Sequence, residues 1–222
     1  MQSLRRLAAA AAAGIGLGLL GTVPASAHTW TDWYEDTWNI DTRVYWFSTR
    51  FPTGTNIRAR TVEAGDAWEA LSGTLQFNLG AGADRPPWPG TPEGTDCDDQ
   101  LSYDVIDWVP LPSTTYGITT TCLVNGTFSL RMNDTLPWYT GTGQNPSNQV
   151  HFRGAIKHEF GHATGGWLVA HWNQPPNADP SLCVSGSWMS YHTMCKGITE
   201  AQTWRWNTLE THDKHTFQAA YP

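Results

Sequence analysis

The sequence predicts an α+β domain, and three observations predict it. Its β-branched and aromatic runs are short and gather before residue 133; the one helical pattern with a clear cap follows them; and the stretches between are crowded with glycine and proline. No internal repeat is apparent. The expected order is a sheet with one helix, a central helix, an irregular segment and a closing helix.

Met1 to Ala27 carries Arg5 and Arg6, an apolar alanine-rich run from Leu7 to Leu20, and the small-x-small ending Ala25-Ser26-Ala27. That is the pattern of a secretory leader cut before His28. Residues 28–222 are expected to form one domain, long enough to bury a core, and no later window holds about 18 consecutive apolar residues. Trp38 to Phe51 alternates in part, as a half-buried strand does, and Pro52 and Gly54 end it. Val62, Ala67, Trp68, Ala70 and Leu71 recur at helical spacing before Gly73, with Glu63 and Asp66 as the acidic start of that helix.

Pro86, Pro87, Pro89 and Pro92 make a loop of the stretch between Gly80 and Gly94. Strands resume over Leu101 to Val109 and Tyr116 to Met132, the latter split by the hairpin signal Asn125-Gly126. Ser147 or Asn148 can cap a helix that runs to about Thr164, with Val150, Ala155, Phe160 and Ala163 apolar and Gly165-Gly166 as its stop. A last helix is expected from Glu200 to Ala220, carrying Trp204, Leu209, Phe217 and Ala220.

Loss of Arg5 and Arg6 with the leader takes the formal net charge from −7 to −9. Such a balance argues against nucleic acid and anionic membrane as partners. Only 15% of residues are charged, yet there are 13 tryptophans, a composition that does not suit disorder. The four cysteines, Cys97, Cys122, Cys183 and Cys195, favour disulfides in an exported chain. Three pairings exist; the sequence-local one, Cys97 with Cys122 and Cys183 with Cys195, closes two short loops, and none of the four shows zinc-knuckle spacing.

The central helix carries His158-Glu159-Phe160-Gly161-His162, an H-E-x-x-H motif. One helical turn puts both imidazoles on one face, within reach of a single ion. Glu159 lies beside them, placed to take a proton from an attacking water and pass it to a leaving amine. With this chain's counts of histidine and glutamate, a chance match has a probability of about 1%. The competing account is a surface helix with two solvated histidines. His151 falls on the same face two turns earlier, about 10 Å away, too far to share the ion.

A catalytic zinc site takes three protein ligands and keeps a position open. Gly165 lets the chain turn after the helix, and His171 follows six residues later, at little cost in loop closure. His192, Glu200 and Glu210 are the rival third ligands. Asp96, Asp98 and Asp99 form a calcium candidate without the EF-hand spacing, for which a solvated acidic turn is the plainer account. Asn125-Gly126-Thr127 and Asn133-Asp134-Thr135 are formal glycosylation sequons.

With these residues the chain resembles the metzincin zinc endopeptidases, nearest to the small matrixin-like and snapalysin-like secreted bacterial enzymes. The resemblance rests on residues 158–171, on the methionine-containing segment 187–195 and on the closing helix. It implies a zincin fold, with a twisted mixed sheet and an irregular C-terminal subdomain, and a methionine turn below the metal. His192-Thr193-Met194-Cys195 resembles that turn and points to Met194, which a Cys183–Cys195 bridge would pin beneath the site. Ser187-Trp188-Met189-Ser190-Tyr191 resembles the alternative turn, in which Tyr191 would support the transition state. The chain departs from the extended metzincin motif at Leu168, where that motif has histidine. Only about ten residues separate the leader from the first strand, so the inhibitory pro-domain common in that family is not expected.

The function so implied is that of a secreted, extracellular zinc endopeptidase, a monomer acting on protein or peptide. His158, His162 and His171 would be its ligands and Glu159 its general base. Substrate would lie along an edge strand, for which Phe128 to Leu136 is the candidate. Two rivals are a secreted tryptophan-rich protein that stacks on sugars or cell-wall polymers, and an inactive zincin-fold peptide binder, against which the intact Glu159 weighs.

Overall fold

The computed structural model describes residues 42–54, 56–71, 74–94, 102–122, 126–164, 193–194, 200–210, 213–214, 217–218 and 221. All belong to the compact unit Thr31–Pro222; a second unit, Met1–Trp30, lies outside the described residues. The expected leader and strand residues 38–41 therefore fall outside them too.

Five strands form the main sheet: β1 (Thr42–Phe47), β2 (Gln76–Leu79), β3 (Asp104–Val109), β4 (Gly117–Cys122) and β5 (Thr127–Asn133). Their order is β2-β1-β3-β5-β4. The first four in that order run parallel, and β4 pairs antiparallel with β5. The Asn125-Gly126 signal falls at the turn between β4 and β5, where Gly126 takes φ +64, a conformation suited to a residue without Cβ. The chain is α+β with a mixed sheet, as expected. A short parallel pair, β6 (Trp138–Tyr139) with β7 (Val150–His151), leads into the central helix.

Alternation sorts each strand. In β1, Arg43, Tyr45 and Phe47 are buried while Thr42 and Val44 are exposed. β5 has no exposed residue, because it lies between β3 and β4 with both faces covered. On one face Phe128 meets Phe77, which in turn meets Phe160 of the central helix. On the other, Arg131 donates to Pro92 O (3.2 Å) and to Gly94 O, with its guanidinium 4.6 Å from the Trp88 ring. Asp107 of β3 accepts from Ser48 Oγ (2.5 Å) and from the Trp88 amide (2.9 Å). Two buried polar side chains thus fasten the proline-rich loop to the sheet.

Helix α1 spans Asn56–Glu69, beginning six residues before the first apolar position by which the sequence marks it. Its buried residues, Ile57, Thr61, Ala64, Gly65 and Trp68, form one stripe. Its first turn contains no acidic residue, so Glu63 and Asp66 are not a helix start. Glu63 instead sits mid-helix and pairs with Arg60 (2.6 Å) and with Arg153 of the central helix (3.2 Å).

Helix α2 spans Phe152–Ala163 and is buried at every position but Arg153. Its cap is neither Ser147 nor Asn148 but His151, whose Nδ1 accepts the Gly154 amide at 3.0 Å. The expected closing helix begins as a 3-10 helix, Glu200–Asn207. Side chains three apart eclipse in that geometry, so Thr203 and Trp206 both turn inward against α2 while Trp204 is only half-buried. The chain bends at 208 and has no regular structure at 209–210, and residues 213–214 and 217–218 are helical again.

Candidate active site

The site is built on α2, which packs between α1, the sheet and the 3-10 helix. His158 is 4% exposed and His162 7%, so the motif is not a solvated surface pair. Their Nε2 atoms face each other 3.2 Å apart, with the rings at 89°. Two imidazoles bound to one tetrahedral ion at about 2.05 Å would hold their nitrogens about 3.3 Å apart. The spacing of these two donors fits two positions of a zinc ion, with a third ligand still to be supplied from outside the described residues.

The other nitrogen of His158, Nδ1, lies against the Thr193 carbonyl in a short hydrogen bond. A backbone carbonyl accepting from Nδ1–H keeps the proton on that nitrogen and leaves Nε2 with a lone pair, the tautomer a metal requires. The indole of Trp206 stacks on the same imidazole, 4.3 Å between centroids at 22°. Thr193 is itself held: its amide donates to Asp213 Oδ2 (2.9 Å) and its hydroxyl to Thr208 O (3.1 Å). The last part of the chain therefore orients a histidine of α2.

Met194 is fully buried under the motif. A Cβ on Gly161 would fall 2.2 Å from its Sδ, so only glycine between the two histidines lets the methionine come so close. Tyr221 donates its hydroxyl to the Thr164 carbonyl at the end of α2.

Glu159 turns toward β4. Thr119 Oγ1 lies 2.7 Å from Glu159 Oε2 and 3.0 Å from Glu159 O, and Thr121 Oγ1 donates to His162 O at 2.9 Å. Burial pushes the Glu159 carboxyl up to about 7, while the Thr119 hydroxyl and the Arg131 charge pull it down. A carboxyl titrating near neutrality suits a group that must both take and give a proton.

Phe128 to Leu136 is not the edge. β5 lies inside the sheet, and β4 ends the strand order beside α2. The hairpin turn puts β4 outside β5, which no alternation pattern distinguishes. The Asn133 sequon is also ruled out as a modification site in the folded chain. Asn133 is fully buried and its amide donates to the carbonyls of Leu111 (3.1 Å), Pro112 (3.0 Å) and Thr115 (2.8 Å). Asn125 lies outside the described residues.

Among the described residues no group of three His, Cys, Asp or Glu side chains gathers round one point. Glu210, which is described, thus does not join His158 and His162. His171 and His192 lie outside the described residues, as does the side chain of Glu200. So do Met189, Tyr191, the three aspartates at 96, 98 and 99, and Cys97, Cys183 and Cys195. Cys122 is buried and disulfide-bonded. Sequence reasoning missed Gly117, Thr119, Trp206 and Asp213. Nothing local marks them, since each acts on a residue far along the chain. Thr193 stood beside the chosen methionine with no role assigned.

Neither a family model nor a curated protein matches this chain.

Proposed function

We propose that the protein is a secreted zinc endopeptidase of the metzincin type, with a zincin fold. The observation that carries the proposal is the buried pair of Nε2 atoms 3.2 Å apart, with a buried glutamate between them in sequence and turned to the sheet's edge strand. His158, His162 and, by proposal, His171 would hold the metal. Zinc in that position would supply a Lewis acid that polarises the scissile carbonyl and acidifies the attacking water. Glu159 accepts the water's proton and delivers it to the leaving amine. β4 offers an extended peptide a strand to pair with, which sets the substrate's direction across α2. Met194 supports the histidines from below.

Among the described residues nothing favours the tryptophan-platform alternative: Trp68, Trp88 and Trp206 are buried and Trp46, Trp108, Trp138 and Trp204 are half-buried, while the other six tryptophans lie outside them. These rings are spent on packing. The test is zinc content together with casein and gelatin cleavage for wild type and Glu159→Gln, with and without chelator. One zinc per chain in both, with kcat lower by about 10²–10⁴ in the variant, is the expected outcome. Equal cleavage by the two proteins, or no zinc in either, would overturn the proposal.

A further inference from the structure

β4 presents Gly117, Thr119 and Thr121 to α2 on one face, since alternate residues of a strand point the same way. Each meets the motif at a different point. A Cβ on Gly117 would fall 2.8 Å from Glu159 Cγ, 2.9 Å from Cδ and 3.0 Å from Oε1. Thr119 reaches the carboxylate and the backbone oxygen of the same glutamate, at 2.7 and 3.0 Å. Thr121 takes the His162 carbonyl, three residues further along the helix.

On the endopeptidase reading above, we infer that Thr119 is a positioning residue for the general base, and that Gly117 is the gap in which its carboxylate sits. Glu159 is 5% exposed, so solvent does not hold its side chain in place. The Thr119 hydroxyl has one proton and two acceptors within reach, and an ionised carboxylate is the stronger of them. That bond fixes the carboxylate against β4, while the glycine two residues earlier removes the side chain that would push it away. Thr121 locks strand to helix at the next turn, so the position of the base and the register of the edge strand are set together. A peptide pairing with β4 would then present its carbonyl at a fixed height relative to Glu159.

The test compares zinc-loaded wild type, Thr119→Val, Thr119→Ser and Gly117→Ala. Valine keeps the shape of threonine without the donor; serine restores the donor alone. Thr119→Val is expected to lower kcat by about 10- to 100-fold, the scale of a misplaced catalytic group, with KM within about 3-fold and zinc content unchanged. Thr119→Ser should regain most of the rate, and Gly117→Ala should lose at least as much as the valine variant. Crystal structures of wild type and Thr119→Val supply a readout that needs no activity: the Glu159 carboxylate should leave its wild-type place in the variant. A carboxylate that stays put, a wild-type kcat in Thr119→Val, or a serine variant as slow as the valine one overturns the inference. Zinc-loaded wild type that cleaves nothing sinks the endopeptidase reading instead, and the carboxylate's displacement still decides the role of Thr119.

Discussion

His151 shows how much a single side chain's surroundings decide. Its spacing from His158 put it out of reach of the ion; its environment makes it the cap of the helix that carries the site. The neutral ring offers Nδ1 as an acceptor to the Gly154 amide, and a protonated ring cannot. Burial lowers its pKa from 6.5 to about 4; a backbone hydrogen bond at Gly143 opposes the shift, and the nearby Arg153, Lys157 and Arg60 charges add to it. Between those values the unfolded chain takes up a proton that the folded one refuses. The stabilisation is therefore complete above about pH 6.5 and is lost as pH falls toward 4, up to about 3 kcal/mol. Asparagine is also a good cap and does not titrate. The difference in Tm between wild type and His151→Asn, measured without metal, is expected to move against wild type from pH 7 to pH 4. Parallel curves would remove His151 as the titrating cap. The H-E-x-x-H pair was legible because its geometry lies within one helical turn. The Asn133 sequon was misleading because a three-residue pattern carries no information about the three carbonyls that occupy its amide.

Elements were legible where the hydrophobic period was local. The β4–β5 hairpin has the Asn125-Gly126 signal between its strands in sequence, with Gly126 at positive φ, and the loop over residues 80–94 has its prolines. What the sequence could not indicate was where elements press on one another. α1 begins at Asn56 because Ile57 and Thr61 already face the core, and neither belongs to the stripe that starts at Val62. The segment after Glu200 takes 3-10 geometry, with Thr203 and Trp206 against α2. There the two backbones come so close that a Cβ on Gly154 would fall 2.2 Å from the Thr203 carbonyl oxygen. Backbone cannot yield as a flexible side chain can. Gly154→Ala is therefore expected to cost about 1–3 kcal/mol through overpacking, despite alanine's better helix propensity. It should also disturb His158 through the shifted Trp206. Chemical denaturation and zinc affinity both read this out; an alanine variant at least as stable as wild type would mean that the two elements can separate freely.

At the scale of the whole molecule, residues distant in sequence meet around α2. Thr119 comes from the sheet edge, Trp68 from α1 donates to the Lys157 carbonyl (2.9 Å), and Thr193, Trp206 and Asp213 come from the last part of the chain. The motif marked the centre of that convergence, and no sequence spacing marked its circumference. One consequence is that the proposed metal and the fold should stabilise each other. A ligand that binds only the native state adds about RT ln(1 + [L]/Kd), about 4 kcal/mol at a thousandfold excess over Kd. For a domain of this size that corresponds to roughly 8–16 °C in Tm. Chelation of the zinc-loaded protein is expected to lower Tm by that order and to leave His158→Ala unaffected. If His171 completes the site, its alanine variant should show most of that loss before any chelator is added, whereas His192→Ala should still respond as wild type does. A wild-type Tm that ignores both zinc and chelator would make the facing histidines a hydrogen-bonded pair of the core, with Trp206 and Thr193 stabilising packing alone.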